Sequence, residues 1–185
     1  MTKLKLESSK VKLGIVPTHI KFVDGLLPEE NGDPPRDASG TIKVVANLEK
    51  LIAECPAPIN TVQLAQFAGV QENVTSELVQ GLRSLGLEVQ FVMMVGNGDP
   101  MNPADEDLIV ERLVEGLKTA QAHHVSRIAS VSMEAWMQGG PPKTGADFDQ
   151  AVVQLVKLHL RAYDEADIEK SCISAWDIEF LRAGE

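Results

Sequence analysis

The chain has 185 residues, with 17 Lys and Arg against 27 Asp and Glu and a formal charge of −10. It offers no basic stripe for phosphate contacts, so nucleic acid is excluded as the expected partner, and a cation or a small neutral or metal-chelating ligand fits better. No apolar run approaches the roughly 20 residues of a membrane helix, and the polar N-terminus lacks the apolar segment of a secretory signal, so no membrane association and a cytoplasmic location are expected.

Apolar runs of strand length alternate with segments of helical period, the pattern of successive βα units around a parallel sheet. Five strands and four helices are predicted. The first strand runs from Val11 to Val16, stops at Pro17, and leads past His19 into a loop from Lys21 to Ser39 rich in Gly, Pro, Asp and Glu. Loops of that length are commonly functional or mobile. Ile42, Val45, Leu48 and Ile52 recur at helical spacing, and Pro56 and Pro58 close that helix before a second strand near Thr61 to Phe67. Leu78, Leu82 and Leu85 mark the second helix, with Gly86 placed as its terminating residue. Leu87 to Val95 reads as a strand buried on both faces.

The turn from Val95 to Pro100 is flexible enough for backbone to approach a ligand, and equally serves as a plain loop. Asn102, Pro103, Asp105 and Glu106 form an N-cap, an N1 proline and an acidic first turn. Ile109, Leu113 and Leu117 line the third helix, which gives way near His123 and His124 to a fourth strand, Arg127 to Met133. Those adjacent histidines point apart and are read as structural, not as metal ligands. The segment Gln138 to Gly145 is a lid or a connection. Phe148, Val152, Leu155 and His159 share one face of the fourth helix, with His159 a core or flanking residue. Cys55 and Cys172 are too far apart for a metal clip and are expected to be reduced core residues.

The fifth strand, Cys172 to Phe180, alternates. Ser174, Trp176, Ile178 and Phe180 form a set suited to packing on helices, while Ile173, Ala175, Asp177 and Glu179 face the other way, into a barrel. An inward carboxylate is costly unless it is paired, hydrogen-bonded or bound to metal, and a hard divalent cation would compensate it. A merely solvated strand face is the alternative. Ser130, Ser132 and Glu134 share a face of the fourth strand and are expected to emerge beside Glu179.

The strand end from Ala175 to Glu185, Ala-Trp-Asp-Ile-Glu-Phe-Leu-Arg-Ala-Gly-Glu, resembles the fifth-strand motif of the xylose isomerase-like TIM barrels, which include sugar isomerases, epimerases and endonuclease IV relatives. The segment Asp105 to Gln121 and the strand order extend the likeness along the chain. The resemblance implies an α/β fold, a parallel (β/α) barrel of the TIM type with about five βα units, treated as one domain over 1–185. It also implies a sugar or polyol substrate isomerised or epimerised through an ene-diolate. A divalent ion (Mn, Mg, Co or Zn) would be held by Glu179, which also serves in proton transfer, and would polarise the substrate carbonyl. Glu185 would be the second catalytic residue, orienting substrate hydroxyls, with Glu134 and His19 as further substrate contacts. Barrels of this kind often form homo-oligomers, although nothing in the sequence fixes an interface.

Two departures stand out. Leu181 and Arg182 occupy the turn where the epimerases carry Asn then Arg. The later strands, which in the family supply an aspartate, a histidine and a second glutamate to the metal, are absent, and the length is short of the roughly 250 residues of a closed barrel. An open sheet edge favours an N-terminal portion of a full barrel over a half-barrel that has lost catalysis. A phosphodiesterase of the endonuclease type would need histidines at early strand ends and a basic face, which this chain lacks. A non-catalytic barrel acting as a binding protein remains the alternative.

Overall fold

The computed structural model describes residues 13–15, 34–66, 72–93, 99, 102–131 and 145–179. Five strands and four helices alternate among them: β1 (Leu13–Ile15), α1 (Lys43–Glu54), β2 (Ile59–Gln66), α2 (Glu72–Ser84), β3 (Glu88–Met93), α3 (Glu106–Ala122), β4 (Arg127–Val131), α4 (Gly145–Glu165) and β5 (Ala175–Glu179). The strands form one sheet in chain order. The pairs β1–β2, β3–β4 and β4–β5 are parallel, which requires a crossover between partners and matches the βα alternation of the sequence. The chain divides into two compact units, Met1–Ala65 with Gly69–Gln90, and Gln66–Ala68 with Phe91–Glu185.

In the first unit, α1 buries Val44, Val45, Ala46 and Leu48, and α2 buries Val74, Val79 and Leu82. Gly81 allows the two helices to meet closely, because a Cβ there would lie 3.1 Å from Val45 Cγ2. Ahead of α1, the Asp37 carboxylate accepts hydrogen bonds from the Ser39 hydroxyl at 2.6 Å and from the Ser39 and Thr41 amides. The Ser39 hydroxyl above all holds that carboxyl below its ordinary range. The end of the predicted 21–39 loop is therefore a tight polar turn. Arg36 ties it to α2 through a two-pronged ion pair with Glu77 at 2.6 and 2.7 Å. Being exposed, that pair is worth at most about 1 kcal/mol.

In the second unit, the Asn102 side chain caps a short 3-10 turn, Pro103–Asp105, that leads into α3, accepting from the Ala104 amide at 3.1 Å with Pro103 at the first position, whereas the N-cap of α3 itself, Asp105, makes no side-chain capping bond. Ile109, Leu113 and Leu117 of α3 are fully buried, as are Leu155 and Leu158 of α4. Along β3, Val89, Phe91 and Met93 are buried while Glu88, Gln90 and Val92 are half-buried. The expected burial on both faces is thus corrected to one full face, since Glu88 and Gln90 keep polar ends in reach of water.

Three helices end in the same way. Gly86, His124 and Asp167 each stand two residues beyond a helix and adopt positive φ, +80°, +52° and +53°. The next residue, Leu87, Val125 or Ile168, turns inward and is buried. For α2 and α3 the reversal is closed by hydrogen bonds from the Leu87 amide to the Leu82 carbonyl and from the Val125 amide to the Ala120 carbonyl, the six-residue closure of a Schellman motif. His123 is buried and His124 exposed, so the pair points apart as predicted. The two cysteines are free thiols, but neither is a core residue: Cys55 caps α1 half-buried, and Cys172 is exposed in the turn before β5.

Gly116 sits at the buried face of α3 against Met93. A Cβ there would collide with the Met93 Sδ and lie 2.8 Å from its Cγ. Overpacking of this kind costs about 1–3 kcal/mol and outweighs the roughly 1 kcal/mol that alanine gains over glycine in a helix. Gly116→Ala is expected to lower Tm by a few degrees. Adding Met93→Val should recover much of the loss, a coupling that a double-mutant cycle in thermal denaturation would read directly.

Candidate functional site

The parallel register of β4 and β5 decides which side chains share a face. Ala129 pairs with Asp177 and Val131 with Glu179, while Ile128 pairs with Trp176 and Ser130 with Ile178. Asp177 and Glu179 therefore stand on one face at the C-terminal end of β5, and Trp176 on the other, as the alternation predicts. The Asp177 side chain is exposed. It bears no burial cost, and a solvated strand face is enough to accommodate it. Of Glu179, the described part is the backbone that closes β5. His19, Glu134, Glu185 and the 139–142 segment lie outside the described residues, as do most of the 95–100 turn and the 181–182 departure. Among the described residues no group of three His, Cys, Asp or Glu side chains is gathered to hold a metal ion.

Ser130 is not on the Glu179 face. Its neighbour in register is Ile178, and its hydroxyl is 2.6 Å from Nε2 of His159 on α4, on the helix side of the sheet. The physical reason is the register between the two strands, which puts Val131, not Ser130, beside Glu179.

The group around Ser130 is a buried polar chain. His159 Nδ1 lies 2.7 Å from the Leu155 carbonyl, which can only accept, so Nδ1 carries the proton and Nε2 of the neutral ring accepts from the Ser130 hydroxyl. The Trp176 indole N–H then donates to the Ser130 oxygen at 3.2 Å. The Trp176 and His159 rings stack at a tilt of 45° with centroids 5.1 Å apart. Burial pushes the His159 pKa down, and the bond to Leu155 opposes this only in part. A serine beside a histidine is also the arrangement of a nucleophile and its base. Here Ser130 is 0% and His159 4% exposed, so no substrate atom reaches them, and the chain serves to fasten β4, α4 and β5 together. The sequence reads His159 as a core or flanking residue and does not pair it. The available signal was a histidine one turn after Leu155 on the core face of a helix, with a serine and a tryptophan on the flanking strands.

An open cleft of about 570 Å³ adjoins this cluster, lined by Tyr163, Ile173, Ala175 and Trp176 among others. It lies toward the N-terminal end of β5, whereas parallel barrels keep their chemistry at the C-terminal ends of the strands.

Comparison with known proteins gives one kind of likeness. No family model and no curated protein sequence matches the chain. Among solved structures, a sugar phosphate isomerase/epimerase from Parabacteroides distasonis is similar over 74% of this chain and 49% of its own, with a TM-score of 0.52 and 12% identity. At that identity the likeness is one of fold, an α/β arrangement of parallel strands and alternating helices, and the chain spans about half the length of that protein.

Ser130→Ala would leave the acceptor nitrogen of His159 buried without a partner and take the acceptor from the half-buried Trp176 N–H, at a cost of about 1–3 kcal/mol, read as a lower urea midpoint with unchanged slope. The folded His159 titrates below its ordinary 6.5, so the native state binds fewer protons than the unfolded chain at acid pH. Its contribution is complete above about pH 6.5 and is lost as the pH falls through and below that value. The expected result is a drop in unfolding free energy between pH 7.5 and 5.5 that is smaller in His159→Gln.

Proposed function

We propose that the chain supplies βα units of a sugar isomerase or epimerase acting in the cytoplasm on a small sugar or polyol, through an ene-diolate formed next to a carbonyl. The observation that carries this reading is the pair of acidic residues, Asp177 and Glu179, on one face at the C-terminal end of β5. The shared fold with a sugar phosphate isomerase/epimerase supports it. In this reading the Glu179 carboxylate takes the proton from the carbon beside the carbonyl and returns it on the same face to the neighbouring carbon, which isomerises the sugar; epimerisation would need a second proton donor on the opposite face of the ene-diolate. Such a general base is worth about 10²- to 10⁴-fold in rate. Glu185, Glu134 and His19 hold the substrate hydroxyls. A divalent cation bound at Glu179 would polarise the carbonyl, and its remaining ligands would come from residues other than the described ones.

A binding barrel without catalysis is the second reading, favoured by the lack of a three-ligand cluster among the described residues. One experiment separates the two. The chain, supplied with Mn²⁺ or Mg²⁺, is incubated in D₂O with a panel of sugars and sugar phosphates, and deuterium at the carbon beside the carbonyl is followed by NMR. Exchange that Glu179→Gln lowers about 10³-fold is the expected result. Ligand-induced thermal stabilisation by a sugar with no exchange in any case would replace the enzyme by the binding barrel.

A further inference from the structure

Helix α4 presents three faces. Ala151, Leu155, Leu158 and Ala162 are buried in the core of its unit. Gln154, Lys157 and Arg161 reach α3, where Gln154 and Lys157 meet Glu106, and Arg161 bonds Asp107 at 2.7 Å. The third face carries Val153, Val156 and Leu160, which are 70%, 40% and 60% exposed. Spacings of three and four residues put these in one line along the helix. Single exposed apolar residues need no explanation, but an aligned row on a helix that has already satisfied its core and its neighbour does. The line continues one turn past each end into exposed carboxylates, Asp149 and Asp164.

We propose that this face of α4 is a docking seam for an amphipathic helix of a partner protein, with an apolar stripe bordered at both ends by Lys or Arg. Charge complementarity selects that occupant. A second copy of this chain would bring carboxylate against carboxylate in either direction: Asp149 on Asp164 if the helices run antiparallel, and each on its own equivalent if parallel. Each copy also carries a charge of −10, which adds to the repulsion. A basic-ended helix meets the apolar row with its own and places a cation at each aspartate, the helix-in-groove mode with electrostatic registration. The seam is separate from the acidic end of β5 and does not depend on the proposed reaction.

The probe is a fluorescein-labelled synthetic helix of about three heptads with Leu and Ile on its seam and Lys one turn beyond each end, alongside a twin carrying Glu at those positions. Anisotropy titration of the full chain should show the Lys peptide binding more tightly than the Glu peptide. Leu160→Asp and, separately, Val153→Asp should each weaken the Lys peptide at least tenfold with unchanged circular dichroism, both sites being exposed. The pair Asp149→Lys with Asp164→Lys should transfer the preference to the Glu peptide. Equal binding of the two peptides, or no effect of either seam substitution, overturns the proposal. So does concentration-dependent dimerisation of the free chain in sedimentation that Leu160→Asp abolishes, because the seam would then belong to a second copy.

Discussion

Parallel strands have no hairpin to set their register, so something else must stop one from sliding by a residue against the next, and a slip of one would exchange every inward and outward side chain. Between β4 and β5 that task falls to the run of hydrogen bonds from the Trp176 indole through Ser130 to His159 and on to the Leu155 carbonyl. It spans two strands and the helix that crosses between them. Every donor in it has one acceptor, so the arrangement has a direction, and a slipped register would leave buried polar atoms without partners. Fixing Trp176 on the helix side is what sets Asp177 and Glu179 on the other. The position of the acidic strand end is therefore a consequence of a buried contact on the opposite face.

Apolar packing does the remaining work with few exceptions to its rules. Gly116 is the clearest case of a residue chosen for what it lacks, since its missing side chain lets α3 lie against Met93 of β3. The polar segment before α1 is organised in a different way, by the Asp37 carboxylate gathering the donors of Ser39 and Thr41. One part of the chain is shaped by exclusion of water and the other by satisfaction of a charge in its presence.

The elements were legible because they rest on local pattern. The Ile109, Leu113, Leu117 stripe, the Asn102-Pro103 start and the Gly86 stop each carry their own physical cause within a few residues. Strand ends are less so: β5 begins at Ala175, three residues after the predicted start at Cys172. Of the candidate site, the face shared by Asp177 and Glu179 follows from strand period alone. The misplacement of Ser130 beside Glu179 has a different origin. Period gives the two faces of a single strand but not which face of one strand matches which face of the next, and that matching is set by tertiary partners such as His159. Cys172 departs from its expected burial for a related reason, since residue type favours burial while its position in a turn dictates exposure.

The repeated helix ending at Gly86, His124 and Asp167 bears on the order in which the molecule can be built. For α2 and α3 the closing bond comes from the residue just past the reversal, Leu87 or Val125, so the turn is complete within three residues of the helix end and needs nothing from farther along the chain. The strands then join the sheet in the order in which they are translated. A chain emerging from a ribosome can therefore complete one βα unit, turn, and lay the next strand on the edge just formed, with no strand held open for a later one to be inserted. The transient species of such an assembly are shorter versions of the final sheet, and only one of its two edges changes from stage to stage.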